Sequence, residues 1–171
     1  MSQDCPNCGG STDDLGRALP APQVDGYRNP ALAVDAACTR TMGSNSGQDH
    51  IEVLMITRKL PPGEGLLALP GGFVEYGEDP ENAVIRELAE ETNVEGVIGP
   101  ILCARGDPAR DPRKHIVSIV YRVEVSSDAE LVSGDDADDV GWFNLSELIK
   151  QPERVAFDHQ QILAILANEI E

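Results

Sequence analysis

The chain predicts an α/β protein, an α/β/α sandwich in which helices flank a mixed central sheet. Three observations carry this. Apolar runs of strand length stand at 31–40, 51–59, 97–105 and 115–125, and the last alternates as IVSIVYRVEV. A run of good helix formers, ENAVIRELAEET, separates the first two strands from the second two. An amphipathic segment, 158–169, closes the chain. The 171 residues suffice for one domain with a sizeable core, and no internal repeat is visible.

Residues 1–26 are rich in Gly, Pro and Asp and lack periodicity, which predicts an irregular arm ahead of a domain over 27–171. The arm holds Cys5-Pro-Asn-Cys8, half of a zinc knuckle. Structural zinc takes four ligands, and no second pair follows. Cys38 and Cys103 fall in expected strands as small core residues, so a vestigial knuckle is expected rather than a zinc site.

Ala31–Arg40 and Ile51–Lys59 are the first strands, joined across the turn-forming TMGSNSGQDH as a hairpin. Leu60–Leu69, with Pro61-Pro62-Gly63, is a loop leading to Pro70-Gly71-Gly72. Glycine there would permit a tight turn with close approach of the backbone to a bound group. Asp79 caps the first helix with Pro80 at its first position, and Asn93 suits a left-handed stop. Val84, Ile85 and Leu88 would face the core. Val97–Arg105 and His115–Val125 follow as strands, then a short strand Val140–Asn144 and a brief helix opened by Ser146. Asp158 caps the last helix, which turns Ile162, Ile165 and Leu166 inward.

Composition narrows the function. A formal net charge of −17 repels duplex nucleic acid and argues against a membrane-surface role. No stretch approaches the roughly 20 apolar residues of a membrane span. The opening MSQDCPNCGG is polar and acidic, unlike a secretory signal. The expectation is a cytoplasmic protein acting on a small molecule, without nucleic-acid or membrane partners.

The chemistry is concentrated in GFVEYGEDPENAVIRELAEETNV, residues 72–94. At about 100° per residue, Glu87, Glu90 and Glu91 share one helix face within roughly 100°. Three carboxylates so crowded repel unless a cation intervenes, and hard oxygen ligands suit Mg²⁺, with Mn²⁺ possible. An acidic helix with an Arg86–Glu90 pair at i,i+4 is ordinarily only a solvated face. Here Leu69-Pro70-Gly71-Gly72-Phe73 and Glu78 precede it, and the resemblance that this arrangement carries favours the metal site.

The spacing resembles the Nudix box, Gly-x5-Glu-x7-Arg-Glu-U-x-Glu-Glu-x-Gly-U with U aliphatic, Asn93 replacing the last Gly. The resemblance implies the Nudix fold and hydrolysis of a nucleoside diphosphate linked to another moiety. It assigns Glu87, Glu90 and Glu91, with the Gly72 carbonyl, to the metal, and gives Arg86 and Glu78 a bracing role. The general base stays open between a box Glu and a downstream carboxylate.

Tyr27-Arg28-Asn29-Pro30, the basic loop Gly106–His115, Gly134-Asp135-Asp136-Ala137 and Phe157-Asp158-His159 extend the likeness. Over about residues 27–170 the chain is similar to small ADP-ribose pyrophosphatases, which yield AMP and ribose 5-phosphate and are often dimers. It departs from them at Leu67, where Trp is frequent, and at Lys114, where Gly is usual. Arg58, Arg110 and Arg113, with Gly71 and Gly72, are the expected substrate contacts, since the guanidinium fork suits phosphate. Asp107 and Asp111 offer these arginines an alternative as ion-pair partners in a solvated turn. Asp135 or Asp136 would supply a further carboxylate. His115 and His159 have no nucleophilic Ser or Cys partner in a recognisable motif, so a hydrolytic triad is unsupported.

Two alternatives accompany this. One is another diphosphate substrate: NADH, a sugar nucleotide or an oxidised nucleotide. The other is a non-catalytic ligand sensor on the same fold. A sensor has no need of the box carboxylates, which are all present here, and the DNA-binding domain usual in a regulator would have no room.

Overall fold

The computed structural model describes residues 29–43, 49–134 and 137–170. The expected arm, Cys5 and Cys8 lie outside them, as do Asp135 and Asp136. In the first sheet β1 (Ala31–Ala37) lies between β5 (Gly71–Phe73) and β7 (Ile116–Val125), with β6 (Gly96–Arg105) beyond β7. β1 and β7 run parallel while the other pairs are antiparallel, so this sheet is mixed, as expected. A second, antiparallel sheet accompanies it. There β3 (His50–Arg58) pairs with β2 (Thr39–Met42), β4 (Leu67–Ala68) and β8 (Ala137–Asn144).

The second sheet corrects the expectation of one strand over 31–40. The run breaks at Cys38, whose carbonyl accepts the Leu54 N–H at 3.0 Å. β1 stays in the mixed sheet, and β2 changes partner to pair with β3, from Thr39 opposite Val53 to Met42 opposite His50. A continuous apolar run thus serves two sheets. β4 and β5 are also strands where a loop and a turn were expected. β8 begins at Ala137, before the expected Val140, because an outer strand tolerates the polar residues that look turn-like in sequence.

Helices cover both sides. Ala83, Val84 and Leu88 of α1 (Pro80–Thr92) pack with Val34, Leu54, Tyr121 and Val123. Ile162, Leu163 and Leu166 of α3 (His159–Ile170) pack with Val53, Met55 and Val120, joined by Leu145 and Leu148 of α2 (Leu145–Leu148). Adjacent residues of β3 therefore enter opposite clusters. Burial on both faces is why its sequence reads VLMI without alternation.

The ends of α1 are firmly set. Asp79 accepts the Glu81 N–H at 2.9 Å, Pro80 begins the helix, and Asn93 ends it with φ of 59°. A distant segment closes the other end: Val132 N–H donates to Thr92 O at 3.1 Å and Gly134 N–H to Glu91 O at 3.0 Å. A Cβ on Gly134 would lie 1.9 Å from Glu90 O, so only glycine fits that approach. Two cap expectations need correction. Asn144, not Ser146, caps α2, accepting the Glu147 N–H at 3.1 Å. Asp158 precedes α3, but its carboxylate is held by Arg105 and Arg110.

Candidate active site

β5 runs directly against α1, and its glycines are required for contact rather than for a turn. A Cβ on Gly71 would lie 2.2 Å from Val34 O, and one on Gly72 would lie 2.4 Å from the Glu87 carboxyl. This corrects the expected tight turn: Gly71 and Gly72 lie within a strand paired to β1. No side chain intervenes between the sheet edge and the helix carboxylates.

Arg86 organises the outer part of that face. Its Nε and Nη2 grip Glu78 at 2.8 and 2.9 Å, and Nη2 also reaches Phe73 O at 3.2 Å. Nη1 donates to Glu87 at 2.8 Å and Glu90 at 3.2 Å. Glu78 in turn accepts the Glu75 N–H at 2.9 Å. Hydrogen bonding to Arg86 holds the Glu78 pKa below the usual carboxylate range, and the same bond raises that of Arg86. The fork joins the turn before α1 to its second half.

The carboxylates differ in depth. Glu90 is 60% exposed in its side chain and pairs with Arg86. Glu87 is more buried; loss of hydration pushes its pKa up, against the pull of Arg86. Glu91 is deeper still. Burial raises its pKa to about 8, with the Glu87 and Asp35 charges adding and the Gly71 N–H, 2.9 Å from Oε2, opposing. Gly71, expected to meet substrate, thus has its N–H engaged by Glu91.

Beneath Gly71 lies a buried polar chain that the sequence did not disclose as a site. Ser118 Oγ donates to Asp35 Oδ2, and His159 Nε2 lies 3.7 Å from Asp35 Oδ1. The Leu69 N–H donates to His159 Nδ1 at 3.0 Å, so the ring proton belongs on Nε2. Burial lowers the His159 pKa and keeps the ring neutral. A sign was present: Asp in the strand AVDAA and Ser in IVSIVY are polar residues where burial on both faces is expected.

The arginines do different work. Arg110 is 6% exposed in its side chain and donates to Asp158 Oδ1 from Nε at 3.0 Å and Nη2 at 2.7 Å. Arg105 takes the other oxygen at 3.0 Å. Burial opposes ionisation of Asp158, but the two arginines outweigh it and hold its pKa below normal. Arg113 grips buried Asp111 with two bonds, at 3.0 and 2.7 Å. Asp107 instead accepts the Ala109 N–H at 2.8 Å. Arg58 donates to Pro62 O at 3.0 Å and lies 4.9 Å from the Phe157 ring centroid. His115 bonds to Gly106 O.

One cleft of about 470 Å³ gathers most of these groups, a size suited to a small molecule. Arg58, Gly71, Gly72, Arg86, Glu87, Glu91, Arg110 and Arg113 all line it, with Asp35, Ser118 and His159 among the others. Glu78 and Glu90 are not in the lining. Among the described residues no three His, Cys, Asp or Glu side chains converge as a metal cage. The cleft nevertheless suits a hard divalent cation: its acidic donors are all oxygens, and glycine leaves the Gly72–Glu87 approach open. Burial is the largest cause of the raised Glu91 pKa, and the Arg58 charge offsets only part of it.

Comparison with known proteins identifies the family. The family model described as NUDIX domain matches residues 31–166. The chain is 42% identical over 137 residues to a Methanocaldococcus jannaschii protein named ADP-ribose pyrophosphatase, covering 80% of this chain and 73% of that one. The Nudix domain of Shewanella oneidensis NrtR, solved with ADP ribose, superposes with a TM-score of 0.71 at 30% identity, over 85% of this chain and 91% of that one. A bifunctional NMN adenylyltransferase/ADP ribose pyrophosphatase from Francisella tularensis, solved with AMP and a manganese ion, gives 0.70 at 32% identity, covering 85% and 43%. With its box, its fold and its cleft in agreement, the chain belongs to the Nudix family.

Proposed function

We propose that this chain is a divalent-metal-dependent pyrophosphohydrolase that cleaves ADP-ribose to AMP and ribose 5-phosphate. The observation that carries the reading is the close approach of half-buried Glu91 and Glu87 to the Gly71–Gly72 strand at one end of a substrate-sized cleft. The similarity to the archaeal ADP-ribose pyrophosphatase supports the substrate.

Glu87 and Glu91, with Glu90 and the Gly72 carbonyl, would hold Mg²⁺, for which Mn²⁺ substitutes. When bound, the metal lowers the pKa of water and neutralises charge on the diphosphate. Arg86 and Glu78 brace the carboxylates and stay clear of the reacting atoms. Water forms a new bond to one phosphorus while the bridging P–O bond breaks, and the departing phosphate keeps that electron pair. The water proton passes to a base, either a box carboxylate or a downstream one such as Asp135 or Asp136. Arg58 and Arg113 border the path of the diphosphate and supply positive charge. Arg110 contributes by fixing Asp158 ahead of α3.

The same reading includes a cytoplasmic homodimer acting on a small molecule, with residues 1–26 as an arm before the catalytic domain. No helix among the described residues is long and apolar enough to cross a membrane. The formal charge of −17 disfavours nucleic acid as a partner.

The decisive assay offers ADP-ribose, NADH and nucleotide sugars with Mg²⁺, identifies products, and uses Glu91→Gln as control. AMP and ribose 5-phosphate, formed fastest from ADP-ribose and lost in the variant, are expected. Preference for another diphosphate would retain the mechanism and change the substrate. Binding of ADP-ribose without turnover under Mg²⁺ or Mn²⁺ would instead favour a sensor.

A further inference from the structure

Two rings line the cleft that the hydrolytic chemistry does not use. Phe73 follows Gly72 at the end of β5 and is 38% exposed. Phe157 stands opposite in sequence, just before α3, with φ of 54°, a conformation that bulky residues avoid. Its neighbours impose it. Ala156 N–H is fixed to Leu67 O at 2.8 Å, and Asp158 is clamped by Arg105 and Arg110. An aromatic ring held in the cleft lining by a strained backbone calls for a use.

Cations mark both rings. The Arg113 guanidinium carbon lies 5.8 Å from each centroid and so bridges them. Lys114 Nζ lies 4.3 Å from the Phe73 centroid, and the Arg58 guanidinium is over Phe157. Cations gather at electron-rich ring faces, and a guanidinium plane stacks on planar π-systems. Aromatic rings and arginine planes together are the surface on which nucleobases stack. Asp111 keeps Arg113 in place by accepting two bonds along the edge of its guanidinium.

We propose that Phe73 and Phe157, bridged by Arg113, seat the nucleobase of the substrate beside the diphosphate position at Gly71–Gly72. The inference rests on the proposed nucleotide substrate, and its test does not depend on turnover.

The test is calorimetric titration of the full chain with AMP and, separately, with ribose 5-phosphate, both with Mg²⁺ present. Phe73→Leu and Phe157→Leu keep apolar bulk and remove the π face. Each is expected to weaken AMP by about tenfold or more while changing ribose 5-phosphate less than about twofold. Unchanged AMP affinity, equal loss for both ligands, or no AMP binding by the parent chain would each overturn the proposal. Thermal melts show whether each variant is folded. If Phe157→Leu fails to fold, Phe73→Leu, on an exposed strand end, decides alone. Product formation by the parent chain reports separately on the hydrolase reading.

Discussion

The amide of Gly71 donates to Glu91 Oε2 across 2.9 Å, joining the edge of the mixed sheet to the most deeply buried carboxylate of the box helix. The bond stabilises the charged form, yet burial dominates and leaves the Glu91 pKa near about 8. The group is therefore prepared for a cation and disfavoured as a bare anion.

That balance fixes a pH dependence for the metal-free protein. An unfolded Glu titrates near about 4.3. Between that value and about 8 the folded chain retains a proton that the unfolded chain has lost. The associated stability is fully present below the unfolded pKa and disappears as pH rises through the folded one. Urea midpoints in EDTA should fall from pH 5 to 9, and Glu91→Gln should flatten the decline while reducing Mg²⁺-dependent hydrolysis by about 100-fold or more. A variant with the parent's slope would refute the assignment.

Gly72→Ala places a methyl group 2.4 Å from the Glu87 carboxyl. The contact is with a side chain, which can withdraw, so the protein should fold with a loss of about 1–3 kcal/mol. Activity should suffer more than stability, because Glu87 moves. Denaturation midpoints and kcat measured together check the contrast; a variant with full activity would show that the close approach is unnecessary.

Arg110 was expected to touch substrate, and its geometry instead ties it to Asp158. Arg110→Ala removes one of two arginines from a buried carboxylate and should cost about 3 kcal/mol. The loss should appear in the melting temperature. If melting is unchanged while KM for ADP-ribose rises sharply, the substrate-contact role stands and the structural one does not.

His159 gives the opposite pH signature to Glu91. Its folded pKa lies below the unfolded value near about 6.5, because burial penalises the imidazolium. Its contribution is present above the unfolded pKa and is lost as pH falls toward the folded one. Measured as the difference from His159→Gln, the parent chain should lose stability from pH 7 to 5, against the opposite slope that Glu91 imposes on both chains. Equal slopes in that window would show that the ring does not titrate with unfolding.

Much of this was legible because local chemistry and tertiary contact agree. Asp79, Pro80 and Asn93 bound α1 as their backbone preferences dictate. Ile162 and Leu166 lie inside as their spacing requires. What escaped depends on contacts distant in sequence. Nothing local separates β1 from β2 at Cys38; the break exists because the Leu54 N–H is there to donate to its carbonyl. Gly71 and Gly72 signal special geometry, but the obstacle they avoid is Val34 on one side and Glu87 on the other. Asp35 and His159 are 124 residues apart and meet only in the folded cleft.

The docking of Val132 and Gly134 on the last turn of α1 has a bearing on how this chain tolerates change in length. Ser126, Ser127, Asp128 and Glu130 form an exposed turn where inserted residues would bulge into solvent at little cost. A residue inserted between Val132 and Gly134 would displace a glycine that nothing else can replace at Glu90 O. Divergence among descendants of this sequence should therefore accumulate as indels over 126–130 and cease abruptly at Val132.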